Sequence, residues 1–159
     1  MDNLQGQLCN FMDNCFEKVK TLEQTIALIK RFELLDIPCL REEIIHKYEI
    51  YCMRYKDTLE KINRDYNDRR NSNDWHVPQD WPKKPGIVRY MEFLCRRITQ
   101  PMLQIKEHAP HLLEKQYTKK NKMMTSIIEM HNRLGKVCGE NVVTAVMSLF
   151  FSFALSGGE

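Results

Sequence analysis

Residues 41–70 read REEIIHKYEIYCMRYKDTLEKINRDYNDRR. Apolar side chains recur at Ile45, Tyr48, Cys52, Tyr55, Leu59, Ile62 and Tyr66, a rhythm of threes and fours that holds from end to end. That spacing puts them on one side of a helix, and a strand would need alternation by two. Glu42 and Glu43 fall in the first turn, with Arg69 and Arg70 in the last. Both placements complement the helix dipole, negative at the N-terminus and positive at the C-terminus. A helix of this length with one apolar stripe needs neighbours, so the fold is all-α.

Toward the N-terminus, residues 11–35 repeat the pattern with Cys15, Val19, Leu22, Ile26 and Ile29, while Leu28, Phe32 and Leu35 widen the stripe. A stripe that broad faces more than one neighbour. Pro38 ends this helix, because the residue before a proline is driven out of the α region. The short connection makes the two helices antiparallel.

Toward the C-terminus, residues 71–86 form a loop carrying Trp75, Trp81, Pro78, Pro82 and Pro85. Prolines fix the backbone and remove donors. The tryptophans either pack back on adjacent helices or face a partner. A third helix starts near Gly86 with Val88, Met91, Leu94, Cys95, Ile98 and Met102; Pro101 is expected to kink or end it. After a break at Pro110, a fourth helix over about 112–138 shows Met123, Ile127, Met130, Leu134 and Val137. The predicted architecture is an elongated bundle segment of long antiparallel helices over residues 1–138, with one Pro/Trp loop at 71–86. Residues 139–159 form a divergent end, whose run VVTAVMSLFFSFAL at 142–155 falls short of the ~20 apolar residues of a bilayer span. It is read as a core helix, an exposed interface or a non-native terminus rather than a membrane anchor.

A chain of 159 residues suits one domain or one segment of something larger. Its net charge of +3, from 24 basic and 21 acidic side chains, is too balanced to demand a polyanion. The short basic clusters (Arg69-Arg70, Arg96-Arg97, Lys119-Lys120) read as solvated helix faces, so no nucleic acid is expected. The six cysteines are scattered without a CxxC, and the N-terminus lacks a signal-peptide pattern. Reduced thiols and a cytoplasmic setting follow.

No phosphate-binding glycine loop, metalloprotease helix, nucleophile elbow or EF-hand loop occurs. His108 and His111 flank Pro110 without a second ligand pair, which argues against zinc. His46, His76 and His131 read as surface or satisfied polar residues. Glu42 and Glu43 are adjacent, so their side chains splay around the helix and cannot flank one substrate atom. The cysteines have no placed base. Neither catalysis nor a cofactor is expected.

One segment is more specific. Residues 81–102 read WPKKPGIVRYMEFLCRRITQPM. From Pro82 to Met102 this resembles, without a gap, the proline turn, glycine, aromatic helix and Leu-x-Arg-Arg-Ile-x-x-Pro-Met run of the first N-terminal tail region of dynein heavy chains, the axonemal type above all. Upstream, FEKVKTL at 16–22, KRFE at 30–33 and YKDTLEKINRDY at 55–66 are similar to preceding tail helices, and IIEMHNRLGKV at 127–137 to the following one. Tyr90 stands where the family usually has Trp, Glu92 where it usually has a base, and Lys83 in place of a second proline. The likeness stops after Cys138, as at a premature terminus.

The resemblance implies a non-catalytic assembly segment of a dynein heavy-chain tail, in the cytoskeleton of a ciliary axoneme. Its implied partners are dynein intermediate and light chains and other heavy chains. Microtubule association would come only through the complex, and the ATPase ring would lie in a longer parent. Trp75, Trp81, Tyr90 and Arg97 are the candidate protein contacts, each with intramolecular packing or a helix cap as the alternative. The competing readings are a stand-alone helical adaptor unrelated to motors and a short membrane-associated protein.

Overall fold

A computed structural model describes residues 2–75, 79 and 82–156, with backbone alone for Asp2, Lys84, Ala145 and residues 148–156. Among the described residues there are six α-helices and no strand: α1 (Asp2–Lys18), α2 (Leu22–Leu34), α3 (Arg41–Ser72), α4 (Lys83–His108), α5 (Lys115–Lys120) and α6 (Lys122–Ser156). Short 3-10 helices at Pro38–Leu40 and Pro110–Leu113 carry the two proline breaks. No helix among the described residues is long and apolar enough to cross a membrane.

The chain divides into two compact units, residues 1–57 with 103–127 and residues 58–102 with 128–159. α3, α4 and α6 lend residues to both. In the first unit the expected single helix over 11–35 is two helices. Thr21 stops the first by capping the second: its backbone is extended, and its hydroxyl accepts from the Gln24 backbone N–H at 3.2 Å. Thr-Leu-Glu-Gln has the spacing of a capping box, where a short polar side chain satisfies an orphan N–H and so favours a helix start.

The break reverses the chain. Asp13 meets Lys47 and the Phe16 carbonyl meets Arg54, so α1 runs in the same direction as α3. Thr25 pairs with Arg54 and Glu33 with Tyr48, so α2 runs against α3, as expected for the chain on either side of Pro38. Met12, Phe16, Ile29, Phe32, Tyr51 and Tyr55 are buried together in this unit. Lys47 is buried too, held by Asp13 with Glu43 at 4.0 Å and its ammonium 5.5 Å over the Phe16 ring. A buried ammonium without such partners would carry a large desolvation cost.

Along α3, Tyr48, Cys52, Tyr55, Leu59, Ile62 and Tyr66 are buried as their spacing requires. Ile45 is half exposed, and Ile44 takes its place. Ile44 lies one turn before Tyr48, on the same row of the helix.

In the second unit Met91, Leu94, Ile98 and Met102 of α4 are buried, as are Leu134 and Cys138 of α6. His131 meets Ile98, and Cys138 meets Cys95, so these parts of the two helices run antiparallel. α4 starts at Lys83, ahead of Gly86, and continues through Pro101 to His108. Proline inside a helix displaces the carbonyls of the preceding turn. Here His131 Nδ1 lies 3.2 Å from the Ile98 carbonyl, one turn ahead of Pro101, and can only be the donor. Tertiary support of that kind lets the helix carry the proline instead of ending at it.

The helix expected from about 112 starts later. Asn121 caps α6, its Oδ1 accepting the Met123 and Met124 N–H groups at 3.1 and 3.2 Å. α6 then runs on without interruption into the apolar C-terminal stretch, to Ser156.

Candidate protein-contact surface

Trp75, just past the end of α3, sits between two aromatic rings. Its ring centroid is 6.1 Å from that of Tyr66 on α3 and 6.2 Å from that of Tyr90 on α4. Arg69 ties the group together: its guanidinium lies 4.5 Å over the Tyr90 ring and donates to the Trp75 carbonyl at 3.1 Å. Asn141 of α6 donates to the Tyr66 hydroxyl at 2.9 Å. Burial raises the Tyr90 phenol above its ordinary value, and Arg69 opposes that rise. Trp75 and Tyr90 thus fold the start of the loop onto the helices beside it.

Arg97 is placed differently. Its guanidinium lies 5.5 Å from the centroid of Phe93, one turn earlier on α4, and Phe93 is 54% exposed. Phe93 did not stand out in the sequence, where it looked like one more apolar residue of an amphipathic helix. Its position, two residues after Met91 and one before Leu94, points it away from the buried row and was the available signal. Trp81 lies outside the described residues. Trp75 and Tyr90 are brought together; Arg97 belongs to the outward side of α4.

The groups that resemble ligands or nucleophiles are dispersed. Among the described residues the buried Nε2 atoms of His108 and His111 have no hydrogen-bond partner, although that of His108 lies 3.6 Å from a Glu107 carboxylate oxygen. Among the described residues no three His, Cys, Asp or Glu side chains are grouped to hold a metal ion. All six cysteines are free. The Cys95 and Cys138 thiols face each other, and burial pushes Cys138 up to about 12. A thiol held protonated that way is a packing group and a poor nucleophile.

These features define an all-helical segment whose chemistry-bearing side chains are spent on packing and whose outward α4 face offers an aromatic and arginines. The description "Dynein heavy chain, N-terminal region 1" matches residues 1–142, and the chain belongs to that family. It is 29% identical over 136 residues to dynein axonemal heavy chain 5 of Rattus norvegicus, covering 86% of this chain and 4% of that one. It is 29% identical over 102 residues to dynein axonemal heavy chain 8 of Homo sapiens, covering 64% and 2%. Against the dynein gamma chain of the flagellar outer arm of Chlamydomonas reinhardtii the figures are 26% over 137 residues, 86% and 3%. The chain thus spans a few hundredths of the length of these relatives. No solved structure matches it.

Proposed function

We propose that this chain is a non-catalytic assembly segment of a dynein heavy-chain tail, working in the axoneme of a cilium or flagellum. The observation that carries the reading is the family match over residues 1–142, which lies in the N-terminal region. The axonemal and flagellar names of the relatives favour the location. In this reading the helices dock intermediate and light chains and further heavy chains, with Arg97 on the contact side and Trp81 a further candidate, while Trp75 and Tyr90 brace the loop from within. Apolar burial of about 25 cal/mol per Å² would drive such docking, with a few aromatic and arginine anchors dominating. ATP hydrolysis and microtubule binding belong to other parts of a longer heavy chain. The family match runs to residue 142, and the apolar stretch beyond it continues α6 as an end distinct from the tail-like part.

The test is an immunoblot of isolated cilia with an antibody raised against residues 75–102. A band far above 19.0 kDa that extracts with motor subunits is the expected result for a heavy-chain tail. A 19.0 kDa band in the same fraction would mark a short form sharing tail partners. A band confined to the soluble cytoplasm and absent from cilia would instead favour the unrelated adaptor.

A further inference from the structure

The buried row of α4 in the second unit is Met91, Leu94, Ile98 and Met102. At 100° per residue, the opposite side of that helix carries Arg89, Phe93, Arg96 and Gln100, spaced by four, three and four. All four are exposed. Arg97 flanks them with its guanidinium on the edge of the Phe93 site, and Glu92 is the single acidic residue at the other margin. Among the described residues neither Arg96 nor Arg97 is within ion-pair distance of a carboxylate. The outer side of α6 contrasts with this, since Lys136 there meets Glu140 at 4.0 Å on its own helix. Phe93 is thus an exposed aromatic flanked by arginines, the residue types that most often anchor a protein contact.

We infer that the outward face of α4, built from Phe93, Arg96 and Arg97, docks an acidic amphipathic helix of another chain. The charge of the face selects the occupant. Guanidinium groups on a rigid helix match carboxylates at helical spacing, each pair able to form two parallel hydrogen bonds. Phe93 at the centre supplies the apolar anchor, and the arginines around it exclude water from the contact. A second copy of this chain fits poorly, because a two-fold contact through this face would set arginine against arginine. A nucleic-acid backbone fits poorly as well, since Glu92 borders the face and the aromatic is single rather than interleaved. The inference rests on the assembly reading above and names the chemistry of one partner.

The experiment places the photo-crosslinker p-benzoylphenylalanine at position 93 of the full chain, irradiates it in a salt extract of cilia, and sequences the adduct. The expected adduct is a helical segment with acidic residues three and four apart around an apolar centre. Its yield should fall at least tenfold in a chain also carrying Arg96→Glu and Arg97→Glu, and survive in part with Arg96→Lys and Arg97→Lys. Circular dichroism checks that all variants keep their helix content. An adduct to a second copy, to nucleic acid or to a segment without acidic charge overturns the inference. So do the absence of an adduct and an equal yield after charge reversal. The assembly reading is scored separately, by whether the chain co-sediments with dynein intermediate chains from the same extract. Co-sedimentation with a non-acidic adduct sinks the face and spares the reading; an acidic adduct on a protein unrelated to dynein does the reverse.

Discussion

Single residues decide where the helices of this chain begin. Thr21 and Asn121 each turn a side-chain oxygen onto N–H groups that the helix itself cannot satisfy. At Thr21 the consequence is topological, because an unbroken helix over 11–35 would carry α1 away from α3. Asp36 and Asn73 do the complementary work after α2 and α3, with φ of 46° and 52° in the left-handed region that Asp and Asn tolerate best after glycine. Thr21→Ala should cost about 1 kcal/mol of unfolding free energy, read as a lower urea midpoint with an unchanged slope. A wild-type midpoint for that variant would mean that packing alone sets the break. Both caps were present in the sequence as a short polar residue ahead of an apolar run. The apolar period was legible straight through Thr21, and a period reports which face is buried without reporting where the backbone turns.

At the scale of the element, the long helices were the most legible part, for a physical reason. α3 is buried along one side for most of its length, so its stripe averages over many contacts and survives a local exception such as Ile45. α4 is harder to bound because proline reads locally as a breaker, whereas the His131 contact to the Ile98 carbonyl is made from another helix and has no local signature. The candidate contact residues were legible by type only. Arginine, tyrosine and tryptophan stood out, but which of them turn inward depends on the ring cluster around Trp75. Phe93 was invisible until the buried row of α4 fixed its direction. α6 offers a direct test of intrinsic preference, since Gly135 and Gly139 lie inside it and a Cβ added at either meets nothing within 4 Å. Gly135→Ala and Gly139→Ala should each stabilise the fold by about 0.5–1 kcal/mol, through the lower entropy cost of ordering alanine. Thermal melts that fall instead would show that these positions carry a close contact in the working assembly.

At the scale of the whole molecule, stability should depend on alkaline pH. Burial pushes Cys52 and Cys138 up to about 12 from an ordinary 9.0. It likewise raises the phenols of Tyr48, Tyr51 and Tyr55, with the Glu33 hydrogen bond adding to the rise at Tyr48. In each case the folded protein prefers the neutral, protonated form, and the unfolded chain ionises first. The stabilisation is therefore complete below about pH 9 and lost as pH climbs from there toward the folded values. Melting temperatures should be level between pH 7 and 8.5 and then decline, less steeply in Cys52→Ala; a melting temperature that rises between pH 9 and 11 would contradict the buried placement. The continuity of α6 has a further consequence, in time rather than in energy. Its Asn141 is tied to Tyr66, whereas Val143 and Met147 are 62% and 50% exposed. An unbroken helix need not open as one unit, because each backbone hydrogen bond is protected only as long as the packing around it persists. Amide exchange should divide this one helix into two clocks, slow around Leu134 and Cys138 and fast from Val143 to Met147, until a partner covering those residues slows the second.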